Sequence, residues 1–159
     1  MRQADTFAPY TAALERVDDA VEQALDVGTG TGAGARAIAD RFPQAEVIGV
    51  DVSPGMLEEA RRLSPSVSFV EGDAANLPFA DESFELVANA NMIPFPDEVA
   101  RVLRPGGWTV YAFSAGPETP IWVEPKVLRR ELERRGFTDF AEIVAGRGTA
   151  MLARKPTRD

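Results

Sequence analysis

The chain has 159 residues, 45% hydrophobic and 26% charged, a length and balance suited to one domain with its own core and remote from disordered or membrane-embedded chains. Its net charge of −8 offers no cationic field to a nucleic-acid backbone or an anionic lipid surface. Cysteine and histidine are both absent, which removes disulfides, thiolate and imidazole metal sites, a thiol nucleophile and the Ser-His-Asp triad; any base must be Asp, Glu, Tyr, Lys or water.

The opening residues lack the apolar core of a signal peptide, and no apolar run of ~18 residues follows, so a soluble cytoplasmic protein is expected. Leu14, Val17, Val21 and Ala24 recur in steps of three and four, predicting an opening helix that leads into a strand at 24–27. Gly28-Thr29-Gly30-Thr31-Gly32-Ala33-Gly34 then turns the chain into a helix carrying Ala35, Ile38, Ala39 and Phe42, stopped by Pro43. A second strand at 47–50 ends at Asp51, and Ser53-Pro54 reads as the cap and first position of a helix through Leu63. Strands at 67–70 and 84–88 follow. Asp97 is expected to cap a short helix through Leu103, Pro105-Gly106-Gly107 to form a turn, and 108–113 to form a fifth strand. Pro125 starts a helix expected to turn Val127, Leu128 and Leu132 inward and to stop at Gly136. Its Lys126, Arg129, Arg130, Arg134 and Arg135 read as a solvated face balanced by Glu131 and Glu133. Strands at 137–144 and 149–154, joined through 145–148, close the chain as a hairpin. Repeated βα units ending in a hairpin give an open, mostly parallel sheet, helices on both faces, with an antiparallel edge. Residues 1–159 show no linker or repeat and are taken as a single domain.

Ligands of such a sheet bind beyond the carboxyl ends of its strands, where the glycine run lies. Asp51 falls near the ~20-residue spacing at which a carboxylate accepts ribose hydroxyls. Asp26, two residues before Gly28, disfavours a dinucleotide pyrophosphate and suits a cationic ligand. Asp73, after the third strand, adds an acceptor for a donor such as an adenine amino group. Three carboxylates around one pocket point to a positively charged nucleoside.

On these residues the sequence resembles the class I S-adenosylmethionine-dependent methyltransferases, in the branch that includes ubiquinone- and menaquinone-biosynthesis enzymes. The matching segments are Ala24-Leu25-Asp26-Val27-Gly28-Thr29-Gly30-Thr31-Gly32, Ile48-Gly49-Val50-Asp51-Val52-Ser53, Val70-Glu71-Gly72-Asp73-Ala74, Leu77-Pro78-Phe79, Phe84-Glu85-Leu86-Val87 and Arg101-Val102-Leu103-Arg104-Pro105-Gly106-Gly107. The resemblance implies a Rossmann-like, doubly wound α/β sheet of seven strands, methyl transfer to a small molecule, and S-adenosyl-L-methionine as cofactor with S-adenosyl-L-homocysteine as product. It implies that Asp26 and the backbone of Gly28, Thr29, Gly30 and Gly32 hold the methionine moiety. Asp51 would take the ribose, Asp73 and Ala74 the adenine edge, with Val52 and Met56 flanking the ring. Asn89 would lie nearest the methyl group, with Asn91 and Met92 on the loop behind it.

Tyr10, Asn89 and Asn91 are the candidate catalytic residues, and Glu118 and Glu124 further candidate bases. The loop Asn89-Ala90-Asn91-Met92-Ile93-Pro94-Phe95-Pro96 lacks the Asn-Pro-Pro-Tyr type of sequence that marks methylation of base or glutamine amino groups. The segment before Arg101 and the connection 114–124 are short for this family. That leaves Phe7, Tyr10, Ile121 and Trp122 as cover for an open pocket and predicts closure by a second copy, a homodimer, or by a bulky substrate. Two other readings remain: a protein that binds S-adenosylmethionine without transferring methyl, and an NAD-dependent oxidoreductase, since Gly28-x-Gly30-x-x-Ala33 also fits the dinucleotide fingerprint.

Overall fold

A computed structural model describes residues 7–119 and 121–158. The first six residues, part of the opening segment read for a signal peptide, lie outside the described residues. The chain runs α1 (Ala8–Glu15), β1 (Gln23–Val27), α2 (Ala33–Arg41), β2 (Glu46–Asp51), α3 (Pro54–Leu63), β3 (Ser68–Glu71), β4 (Phe84–Ala90), α4 (Pro96–Val102), β5 (Leu103–Phe113), α5 (Pro125–Glu133), β6 (Thr138–Ala145) and β7 (Gly148–Arg154).

The seven strands form one sheet in the order β3-β2-β1-β4-β5-β7-β6. The chain walks outward from β1 to β3, then crosses back to place β4 beside β1, with Ala24 level with Val47 on one side and Leu86 on the other. The order therefore reverses between β1 and β4, which leaves a crevice at their carboxyl ends. The first five strands are parallel, and β7 pairs antiparallel with both β5 and β6. This is the doubly wound sheet with an antiparallel hairpin that the βα alternation predicts.

Side-chain alternation divides the core into two layers. Ala24, Leu86, Ala88, Val110, Ala112 and Leu152 pack with Leu14, Ile38 and Leu57 of α1, α2 and α3. Leu25, Val87, Tyr111, Phe113 and Met151 pack with Val99, Val102, Leu128 and Leu132 of α4 and α5 on the opposite face.

Four expectations are corrected. The opening helix stops at Glu15 although Val17 and Val21 are buried; the Arg41 guanidinium donates to the carbonyls of Leu14 (3.3 Å) and Val17 (2.7 Å), satisfying acceptors the helix end exposes. Asp97 is not a cap: Pro96 begins α4, and Asp97 lies in its first turn, 2.7 Å from Arg135. Pro105-Gly106-Gly107 is no free turn but an irregular part of β5, where the pairing with β4 shifts register between Phe84 and Leu86. There a Cβ on Gly107 would stand 2.9 Å from the Arg104 carbonyl oxygen. Val127 faces outward, 42% exposed, leaving the i, i+4 pair Leu128 and Leu132 to anchor α5.

Candidate functional site

At the crevice between β1 and β4 lies an open pocket of about 190 Å³ lined by Val27, Gly28, Val50, Asp51, Val52, Gly72, Asp73, Ala74, Met92 and Phe95. Its floor is the glycine turn. Gly28, Gly30 and Gly32 all hold left-handed φ angles (+68°, +55° and +92°), a conformation that costs other residues strain. A Cβ on Gly30 would meet nothing within 4 Å, so the backbone there faces open space. The turn is tied to β2, since the Thr29 amide donates to the Val50 carbonyl at 2.9 Å.

Asp51 joins two segments. Its Oδ2 accepts the Gly30 amide at 2.9 Å and its Oδ1 the Ser53 amide at 3.0 Å. Each oxygen keeps a further acceptor position, which suits a pair of hydroxyl donors. Ser53 starts α3 as expected, its hydroxyl accepting the Met56 amide at 3.3 Å. Asp73 lines the wall beyond Asp51; its Oδ1 accepts the Ala75 amide at 2.9 Å, and its other oxygen has no bonded partner among the described residues. The segment after it is clamped by Arg101, which donates to the carbonyls of Leu77 (3.0 Å) and Phe79 (2.8 Å) and pairs with Glu98 and Asp81.

The cavity thus brings together Gly28, Asp51, Val52, Asp73 and Ala74. It does not include Asp26. That carboxylate is 2% exposed and sits behind the glycine turn, accepting the Tyr10 hydroxyl at 2.6 Å, the Thr29 hydroxyl at 2.7 Å and the backbone amide of Ala35. Burial pushes its pKa up to about 6, against the pull of those three donors. Asp26 thus supports the glycine turn from beneath.

Tyr10 is corrected on two counts. It is buried rather than covering the pocket, and burial, with the Asp26 charge beside it, raises its pKa well above 10, which removes it as a base near neutrality. Phe7 packs edge-on against its ring, centroids 5.5 Å apart. The apolar surface expected to need a second copy therefore loses Tyr10; Ile121 remains 40% exposed.

Asn89 is also buried. Its amide donates to the Val110 carbonyl at 3.1 Å, within the β4–β5 layer, and it does not line the cavity. Asn91 has a left-handed φ of +55°, and its Oδ1 accepts the Ser114 amide and hydroxyl at 2.8 and 3.1 Å, clasping the β4 loop to the end of β5. The next residue, Met92, reaches over the glycine turn so closely that a Cβ on Gly28 would stand 2.8 Å from its sulfur. Thr29 and Gly32 belong to the turn, and Met56 lies in the first turn of α3, 48% exposed. Glu118 and Glu124 are turned to solvent beside Arg147 and Lys126.

Phe95 lines the cavity and was missed by sequence reasoning; its signal was a large apolar side chain in the loop that leaves a central strand. The chemistry available is a crevice with two carboxylates, a glycine backbone and an apolar rim of Val52, Met92 and Phe95. It fits a nucleoside: Asp51 has spare acceptors for hydroxyls, Asp73 one for an amino group, and Val52 and Ala74 give apolar surface for a base.

A family model described as a methyltransferase domain matches residues 24–107, more than half of the chain. A demethylmenaquinone methyltransferase of Chlorobaculum parvum is 42% identical over 104 residues, covering 61% of this chain and 43% of that protein. A fatty-acid O-methyltransferase of Mycolicibacterium smegmatis is 37% identical over 124 residues, covering 71% and 45%. The chain spans less than half the length of these relatives. Among solved structures, a SAM-dependent methyltransferase from Aquifex aeolicus superposes with a TM-score of 0.77 at 18% identity, covering 97% of this chain and 93% of that one. A chain from the complex between the Haloferax volcanii Trm112 methyltransferase activator and a methyltransferase gives 0.78 at 20%, covering 96% and 92%. These likenesses show the fold.

Proposed function

This chain belongs to the methyltransferase domain family, within the class I S-adenosylmethionine-dependent enzymes, and from that premise we propose that it transfers the methyl group to a small apolar acceptor. The observation that carries the reading is Asp51, which lines the crevice at the topological switch point while bonding both the glycine turn and the start of α3.

When bound, S-adenosylmethionine supplies a methyl carbon on a sulfonium whose leaving group departs neutral and needs no acid. What the residues contribute is position. Asp51 accepts the ribose hydroxyls and Asp73 with Ala74 the adenine edge. The Gly28–Gly30 backbone receives the amino-acid end, and Met92 and Phe95 exclude water from the apolar side. Holding nucleophile and electrophile aligned contributes up to about 7–11 kcal/mol. No histidine is available as a base and Tyr10 is held protonated, so the fitting acceptor brings its own nucleophilicity: a stabilised carbanion, an amine or an already ionised oxygen. Two relatives named for a quinone precursor and a fatty acid support an apolar acceptor, as does the exposed Ile93 beside Met92.

The same reading takes residues 1–159 as one cofactor-binding domain of the cytoplasm with a small molecule, not nucleic acid, as its partner. Among the described residues no helix is long and apolar enough to cross a membrane. A second copy over the exposed Ile121 remains part of the proposal. The experiment is incubation with S-adenosylmethionine and a panel of quinols, phenols, amines and fatty acids, read by mass spectrometry. A product heavier by one CH₂ supports the reading; turnover of none of them, with the cofactor bound, supports binding without transfer.

A further inference from the structure

We propose that Tyr10 is a positioning residue for cofactor binding, holding the Asp26 carboxylate in place from α1 so that Asp26 in turn fixes the glycine turn. The inference rests on the reading that S-adenosylmethionine and its product bind over that turn.

Three donors from three segments converge on one buried carboxylate. The Tyr10 hydroxyl comes from α1 (2.6 Å to Oδ1), the Thr29 hydroxyl from the turn itself (2.7 Å to Oδ2), and the Ala35 amide from the first turn of α2. All of it is dry: Tyr10 is 1%, Asp26 2% and Thr29 6% exposed. A carboxylate removed from water is tolerated only when hydrogen bonds or a cation compensate it. Among the described residues no lysine or arginine bonds to Asp26, so the three donors must do so.

Two missing side chains show how closely the cluster is packed. A Cβ on Gly34 would stand 2.7 Å from Asp26 Oδ1, and one on Gly49 would stand 2.5 Å from the Thr29 hydroxyl oxygen. Of the three donors, only Tyr10 comes from outside the β1–turn–α2 unit. Without it Oδ1 loses its hydroxyl donor, the ionised form loses support, and Asp26 protonates or rotates. Thr29, whose amide also anchors the turn to Val50, is then released on its side-chain end.

The charge state follows the same geometry. Burial raises the Asp26 pKa to about 6, the bonds from Tyr10, Thr29 and Ala35 restrain it, and the Asp51 carboxylate from β2 pushes it up. These are the groups that face it from α1, the turn, α2 and β2. Affinity for the product is therefore expected to fall as the pH drops through about 6, because the protonated acid no longer accepts from every donor. Removing the Tyr10 hydroxyl moves that limb toward neutrality.

The test is calorimetric titration of S-adenosylhomocysteine into the wild type, Tyr10→Phe and Phe7→Leu, across the pH range that spans the limb. Tyr10→Phe should bind about tenfold more weakly near neutrality, the order expected for losing a hydrogen bond to a charged group, and should shift the acid limb upward. Phe7→Leu disturbs the packing of the same tyrosine without touching its hydroxyl, and should leave the limb where it is. Wild-type affinity and an unmoved limb in folded Tyr10→Phe overturn the inference, as does an equal shift in Phe7→Leu. No binding by the wild type at any pH overturns the reading of the site itself.

Discussion

Gly34 and Gly55 occupy equivalent positions, each the second residue of a helix at the cofactor end of the sheet, yet alanine should act on them with opposite sign. Neither needs a left-handed backbone, so helix propensity alone favours alanine at both by about 0.5–1 kcal/mol. At Gly55 a Cβ would meet only the Ser53 hydroxyl oxygen, at 3.9 Å, an ordinary contact. At Gly34 it would stand 2.7, 2.8 and 2.9 Å from Oδ1, Oδ2 and Cγ of Asp26. That carboxylate is buried and held by bonds of 2.6 and 2.7 Å that turning would break, so α2 must move instead. Overpacking of this kind costs about 1–3 kcal/mol, which outweighs the propensity gain. Gly34→Ala should lose about 1–2 kcal/mol and melt lower by several degrees, since each kcal/mol moves Tm by about 2–4 °C in a chain of this size. Gly55→Ala should melt slightly higher. Thermal and urea unfolding followed by circular dichroism decide it. Gly34→Ala at or above the stability of Gly55→Ala would refute the argument that the Asp26 cluster is rigid.

Two further outcomes follow from the same contacts. Because the Asp26 pKa is raised from 3.8 to about 6 in the folded chain, its contribution to stability is full below the lower value and lost as the pH rises through the upper one. The difference in unfolding free energy between wild type and Asp26→Asn should therefore shrink as the pH rises from about 4 to about 6, and a difference that grows over that range contradicts the assignment. Arg101→Met removes the donors that hold the Leu77 and Phe79 carbonyls and should cost about 1–3 kcal/mol in urea unfolding. It should also weaken S-adenosylhomocysteine binding through the Asp73 wall; unchanged stability would show that Pro78 against Gly72 holds the segment alone.

The parts of the site legible in the sequence are those fixed by local order. A strand, a glycine run and a helix in succession place backbone amides at a sheet edge. A carboxylate ending the next strand, Asp51, must point to the same edge whatever else the chain does. Asp26 and Asn89 lie inside strands, where side chains alternate between faces, so nearness to the glycine run in sequence does not tell which face each takes. Asp26 shares its face with Ala24 under the α1–α2 layer, whereas Val27, one residue on, reaches the cavity. Asn89 is level with Val27 and Tyr111 and bonds across to β5, so its position in the sequence says little about the open crevice. The Tyr10–Asp26 bond joins residues whose meeting depends on how α1 docks, and no spacing rule encodes that. Pro105-Gly106-Gly107 misled differently: residues that favour turns here let β5 run past close carbonyls, and the Gly106 amide and Gly107 carbonyl pair with Lys155.

Titration calorimetry with S-adenosylhomocysteine and NAD decides whether the crevice binds S-adenosylmethionine through Asp51. The wild type should bind S-adenosylhomocysteine and prefer it to NAD. Asp51→Ala should lose about 2–4 kcal/mol, thirtyfold or more in Kd, because two hydroxyl donors lose a charged acceptor. Tighter binding of NAD, or an Asp51→Ala variant that is folded and binds S-adenosylhomocysteine as the wild type does, would contradict it.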